Sequence, residues 1–367
     1  MIKDGKIVKI GKPWKTRAPK NSMVIDGKSK YLVPGLTDMH VHWLQGDDEL
    51  ILYLANGITT IRDMFGNYGK LGRRERIEEG EILGPRLYIS TPLIDGEQPI
   101  WSGSLVVTNP EDVEPLIANS KKMGYDFIKV YEKLTMDVYD SIVKAAKKEN
   151  IPVVGHAPSL VGIEKVIKSG QKSIEHLSRY YDSDELYDMT IENNLWNCPT
   201  IVVYSNFNRS LAEEKIEGLE YIHPLIIRTW EGGMNMGSSM IEISGLKHIA
   251  KRLHDKGGKI LLGTDTNNPF IVPGFSIHDE IYNFVDIGLT PYEALRTGTY
   301  NAAEFLNILD ESGTVETGKN ADLVLLDGNP LEDITNMKKI EGVMIRGKWI
   351  SKSEIDEMLK TIVESVE

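Results

Sequence analysis

The chain reads as an α/β protein, a (β/α)8 TIM barrel with a small β-sandwich domain built from both chain termini. Three observations point there. Short β-rich runs alternate with helical patterns from Pro34 to about residue 265, eight runs in all, the rhythm of successive βα units around a parallel barrel. Four of the eight histidines, with a lysine and an aspartate, fall at or near the C-terminal ends of those runs, where barrels of this kind carry their chemistry. The strand signature then returns near the chain ends, which joins 1–33 and 308–367 in one composite β-sheet domain and leaves 34–307 to the barrel.

Residues 1–33 hold two short alternating runs, Lys6-Ile7-Val8-Lys9-Ile10 and Met23-Val24-Ile25-Asp26-Gly27, split by the turn-rich Gly11-Lys12-Pro13. Both read as strands. The barrel strands are predicted at 34–42, 57–63, 86–90, 126–131, 151–156, 172–176, 197–203 and 259–265. Between them, Asn109-Pro110-Glu111-Asp112 opens a helix over 110–123, with a capping residue, a proline at the first position and early acids. Residues 135–149 and 160–169 repeat apolar residues at helical spacing, and Gly170 follows as a stop. The longest insertion, 205–257, reads as mostly helical and is rich in Gly and Met near 231–240. Past 308, the runs 318–327 and 339–347 are short β segments around turns.

The net charge of −12, from 42 basic and 54 acidic residues, disfavours nucleic acid and anionic membranes as partners. No stretch is long and apolar enough to span a bilayer. The N-terminal segment alternates Lys with apolar residues, unlike a signal peptide. The single cysteine, Cys198, excludes an intramolecular disulfide and reads as a small buried hydrophobe rather than a nucleophile. A cytoplasmic protein acting on a small-molecule substrate is expected, with homo-oligomer formation left open.

The chemistry starts at Leu32-Val33-Pro34-Gly35-Leu36-Thr37-Asp38-Met39-His40-Val41-His42. Alternate residues on a strand share a face, so His40 and His42 project together as half of a metal site. Lys129, His156, His176 and Asp265 lie at or near four further strand ends. Zinc is the default ion for a His-rich, carboxylate-bearing site. Lysine 129 also has a plainer reading, pairing with Asp126 or Glu132. Tyr131 sits on the Lys129 face and could donate to a substrate oxyanion; Tyr204 could do the same. His278, at the start of a helix after strand eight, is a further substrate-contact candidate. Arg62-Asp63 reads as a structural ion pair, and His223, His248 and His254 as solvated. The loops after strands three and seven, with Glu97-Gln98-Pro99-Ile100-Trp101, are candidates for the substrate pocket.

These motifs resemble the amidohydrolase superfamily. The 33–42 segment, the His156 and His176 strand ends and Gly263-Thr264-Asp265 carry the likeness. Asp126-Phe127-Ile128-Lys129-Val130, Ser173-Ile174-Glu175-His176, Leu289-Thr290-Pro291-Tyr292-Glu293-Ala294-Leu295 and the Ala321–Asp322–Leu323 tail are similar to its imidazolonepropionase-like and prolidase-like (Xaa-Pro dipeptidase-like) branch. The likeness covers nearly the whole chain and departs at the N terminus, which lacks a first short strand common in the family. It implies that His40, His42 and Asp265 bind one zinc ion and His156 and His176 a second. Lys129, N6-carboxylated, would bridge the two. It further implies hydrolysis of an amide bond, in dipeptides or N-acyl amino acids, with Asp265 moving the proton. Lactone, ester or cyclic-amide hydrolysis on the same site is the alternative, and a non-catalytic metal-binding barrel is the alternative of another class. Deaminases of the superfamily place a Glu three residues after the strand-five His; here that position is Ser159, which argues for hydrolysis.

Overall fold

The computed structural model describes residues 1–12, 16, 18–44, 46–207, 216–234 and 243–366. Two parallel sheets form its centre. One has three strands, Leu36–Val41, Ile58–Asp63 and Arg86–Ile89. The other has seven, ordered Lys259–Ile260, Trp196–Cys198, Ser173–Glu175, Val153–Gly155, Ile128–Val130, Ile94–Asp95 and Leu105–Val106. Parallel bridges Ser90–Phe127 and Val41–Thr266 join the two sheets at both ends. Backbone bonds from Met39 N to Leu262 O (2.8 Å) and from Asp265 N to His40 O (2.7 Å) reinforce the second junction. The strands thus follow one another around a TIM-barrel-like ring, with helices between them.

The helices form where local signals and burial agree. In Met136–Lys148 the buried residues are Val138, Tyr139, Ile142, Ala145 and Ala146, one face of a 3.6-residue repeat. Gly124 and Gly170 end their helices in the left-handed region, at φ 92° and 90°. Thr290 and Glu293 close a reciprocal capping box at the start of Pro291–Thr297. Among the described residues no helix is long and apolar enough to cross a membrane.

Strand seven is shorter than 197–203. Only Trp196–Cys198 is extended; Ile201–Phe207 is helical. The β-branched run misleads because Thr200 turns the chain at φ 49° and the Glu280 carboxylate accepts the Ile201 and Val202 N–H groups at 2.8 and 2.7 Å. That carboxylate caps the helix from about eighty residues away. Strand eight pairs only over Lys259–Ile260 and then continues irregularly to Asp265 at φ 59°. Arg62 and Asp63 do not pair with each other, because successive strand residues face opposite ways. Arg62 binds Glu175 and Asp63 binds Lys70. The helices Pro224–Met234 and Ile243–Asp255 occupy the long insertion; of the Gly- and Met-rich stretch near 231–240, residues 235–240 lie outside the described residues.

The terminal pieces meet in one antiparallel sheet, ordered Lys348–Ser351, Ile340–Ile345, Leu323–Leu326 and Tyr31–Pro34. Ile2–Lys3 and Lys6–Ile7 make a separate hairpin. The expected strand at 23–27 does not form, and Met23 and Val24 stay exposed. Strand Tyr31–Pro34 passes through Gly35 directly into the first ring strand, so this small sheet anchors the segment that ends in His40.

Gly155 ends the strand that delivers His156. It has φ 131°, and a Cβ there would lie 2.1 Å from Val130 O. Gly155→Ala is expected to lower stability by about 2 kcal/mol or more in urea denaturation; a loss below about 0.5 kcal/mol would contradict this packing.

Candidate metal centre

The C-terminal ends of the ring strands enclose a cavity of about 190 Å³. His40, His42, Lys129, His156, His176 and Asp265 all line it, with Tyr131, Leu44, Phe65, Leu93, Trp101, Asn267 and Asn268. The parallel register explains the convergence: Lys129 sits opposite Val154 and one strand further on lies Ser173, so neighbouring strand ends come level. His42 Nε2 lies 2.9 Å from Asp265 Oδ1, and His40 Nε2 lies 3.3 Å from the same oxygen. The His40 and His176 rings are 4.6 Å apart, and those of His156 and His176 5.0 Å. Ligand atoms of His40, His176 and Asp265 fall within 4.8 Å of one another.

Three of the imidazoles are held by their Nδ1 atoms. His40 Nδ1 meets Glu175 Oε2 at 2.9 Å, His156 Nδ1 meets Glu132 Oε1 at 2.8 Å and His176 Nδ1 meets Thr200 Oγ1 at 2.6 Å. Each contact fixes a ring and leaves its Nε2 for a ligand. Glu175 is itself gripped by Arg62 at 2.8 and 3.0 Å and by Ser173 Oγ at 2.5 Å. Asp38 ties strand one to strand eight, accepting from His40 N, Thr264 N and Thr264 Oγ1 at 3.2, 3.0 and 2.6 Å.

Burial governs the charges. It pulls His40 and His176 well below the usual imidazole range, so both are neutral, the form that binds a metal. It pulls Lys129 down to about 8, against the opposing pull of Glu175 and Asp265. Burial pushes Asp265 up, but His176, His42 and Lys129 together hold it below the ordinary aspartate value. His40 Nε2 and Lys129 Nζ are buried with no hydrogen-bond partner among the described residues. Neither plain partner suggested for Lys129 is available to it: Asp126 binds Arg74 at 2.8 Å, and Glu132 binds His156 and Arg179. Two unpartnered buried nitrogens facing neutral imidazoles and a carboxylate are what a cation-binding donor set looks like before the ion is added.

His278 is not part of this centre. It is buried on Ser276–Asp286, and its Nε2 meets Asn56 Oδ1 at 3.2 Å. The loop 266–275 carries that helix away from the cavity, so the residue is structural. Tyr204 lines an adjoining cleft of about 370 Å³ that shares His156 and His176 with the cavity. Glu175 and Thr200 were not singled out from the sequence, and Glu132 was named only as an ion-pair partner for Lys129. The one local signal was a carboxylate within a strand, at Glu175, next to His176. His40, Glu175 and Cys198 also lie close together, but Glu175 is engaged by Arg62 and burial pushes the Cys198 thiol well up, away from the thiolate a metal needs.

Glu175→Gln leaves the Arg62 charge uncompensated in the barrel interior. A loss of about 3 kcal/mol or more in urea denaturation is expected; a loss under about 1 kcal/mol would show that Arg62 does not depend on it.

Ochratoxinase of Aspergillus niger is 26% identical over a 373-residue alignment that takes in 83% of this chain and 71% of that protein. Adenine deaminase of Clostridium perfringens is 23% identical over 89% of this chain, which spans about half (51%) of its length. Among solved structures, bottromycin amidohydrolase superimposes with a TM-score of 0.82 at 23% identity, covering 99% of this chain and 85% of that one. A Xaa-Pro dipeptidase with bound methionine superimposes at 0.77 and 22% identity, covering 95% and 93%. These superpositions speak for the fold. The Amidohydrolase family description matches residues 31–350, and the chain belongs to the amidohydrolase family.

Proposed function

We propose that this chain is a metal-dependent hydrolase of amide bonds in small molecules such as dipeptides or N-acyl amino acids, working in the cytoplasm. The observation that carries the reading is the single cavity at the strand ends. Four histidines, Asp265 and an unpartnered buried lysine nitrogen all meet there. Family membership and the names of the relatives, ochratoxinase and Xaa-Pro dipeptidase among them, support hydrolysis of carbon–nitrogen bonds.

His40, His42 and Asp265 would hold one zinc ion, and His156 and His176 a second. Lys129 would join them as a carbamate: the amine adds to CO₂, one N–C bond forms and one amine proton leaves. The product is an anionic oxygen ligand where a cationic lysine would stand buried and unpaired. Bound there, the ions supply an acidified water and a polarised carbonyl. The chain's own groups do the rest. Asp265 accepts the proton of the attacking water and returns it to the leaving amine. Tyr131, whose phenol is kept protonated by burial, donates to the oxygen that gains charge as the carbonyl becomes tetrahedral. Glu175, Glu132 and Thr200 keep the imidazoles aimed. Deamination is disfavoured because Ser159, three residues beyond His156, offers no carboxylate; its hydroxyl donates to Glu132 O at 3.0 Å.

A panel of dipeptides, N-acyl amino acids, lactones and aryl esters tests the reading. Turnover of an amide is expected to vanish after chelation and to return with zinc; undiminished turnover by the metal-free chain would refute it. Lys129→Met is expected to bind at most one metal equivalent by elemental analysis and to lose about 100-fold or more in kcat/KM. Two bound equivalents with full activity would rule out the lysine bridge.

A further inference from the structure

The loop between Ile94–Asp95 and Leu105–Val106 is built with unusual care for a surface segment. Its two ends are paired as parallel strands. Inside it, the buried Asp95 carboxylate accepts from Gly96 N at 3.0 Å, from Ile100 N at 3.4 Å and from Lys133 N at 2.6 Å. Lys133 Nζ reaches back to Gln98 O at 2.5 Å. Gly96 passes so close that a Cβ would lie 2.0 Å from Lys133 O. The loop is therefore fastened to the segment 131–133, directly after the strand that carries Lys129. What it delivers is Trp101, half exposed (50%) at the cavity rim, with its indole Nε1 2.8 Å from the Tyr131 hydroxyl. Tyr131 in turn packs its ring 4.3 Å from the His156 ring.

The direction of that hydrogen bond is not a matter of choice. An indole N–H only donates, so the phenol oxygen accepts, and the phenol's own proton is left out of the bond. A hydroxyl that accepts one hydrogen bond becomes a better donor in the next. We propose that Trp101 is a positioning residue for Tyr131: by occupying the acceptor side of the phenol, it turns the O–H into the cavity to meet the carbonyl oxygen of a bound amide. This rests on the hydrolase reading and adds to it a residue that acts on turnover rather than on affinity.

The test uses the metal-loaded chain, the best amide of the panel, and the variants Trp101→Phe, Tyr131→Phe and the double variant. Phenylalanine keeps an aromatic ring at 101 and removes the N–H together with the rest of the pyrrole ring. Tyr131→Phe is expected to lose about 100-fold in kcat, and Trp101→Phe about 10-fold, with KM within about twofold of wild type. The double variant is expected to be no worse than Tyr131→Phe, because the indole acts only through the phenol. An unchanged kcat in Trp101→Phe, a rise in KM alone, or losses that multiply in the double variant would overturn the proposal. A second readout needs no turnover. The Trp101 indole N–H resonance, identified by its absence in Trp101→Phe, is expected to move in Tyr131→Phe; a resonance that stays put also overturns it. Wild-type protein inert on every panel compound would sink the hydrolase reading itself. An active wild type with an indifferent Trp101→Phe sinks this inference alone.

Discussion

The interaction on which the rest depends is the buried pair of Arg62 and Glu175. Arg62 rises from the second ring strand and crosses the barrel interior. It donates to Met39 O, to Ser173 Oγ and to both Glu175 oxygens. It lies over the Phe305 and Phe127 rings, with its guanidinium 4.9 and 5.8 Å from their centres. One side chain thus joins strands one, two and six from inside. Burying such a pair costs desolvation, and removing either partner strands the other charge. The gain is directional: Glu175 has one remaining task, to hold His40 Nδ1.

From that point the site is assembled by holding every ring from behind. Glu175, Glu132 and Thr200 engage Nδ1 atoms of His40, His156 and His176, and burial keeps the held rings neutral. Asp265 is kept ionised by the imidazoles and lysine around it, although its burial opposes that. Opposed tendencies of this kind persist only where surrounding structure supports them. Here the support is the Asp38–Thr264 clasp between the first and last strands of the ring.

Much of the site was legible in the sequence because strand geometry is periodic. Alternate residues share a face, parallel strands end level, and chemistry gathers at those ends; hence His40, His42, Lys129, His156, His176 and Asp265 were named and all line one cavity. What was not legible depended on distant partners. Glu175 stands beside a named histidine, yet its counter-ion is 113 residues away. The run 201–203 has β-branched residues but is helical, because Glu280 caps it from the far side of the insertion. His278 looked like a site residue because it follows strand eight closely, and the intervening loop turns its helix toward Asn56 instead. Arg62 and Asp63 are adjacent and opposite in charge, but on a strand adjacency means opposite faces. The β segments within 318–327 and 339–347 were recognisable as strands, whereas 23–27 forms none, and the four-stranded sheet with its separate hairpin was set by tertiary pairing.

Anomalous diffraction from crystals of the zinc-loaded chain at the zinc edge, grown in bicarbonate, would locate the ions without reference to any substrate. Two anomalous peaks are predicted. One should lie among His40, His42 and Asp265 and the other beside His156 and His176, with density extending from Lys129 Nζ between them. No peak in the cavity, with Lys129 a free amine paired to a carboxylate, would contradict the account.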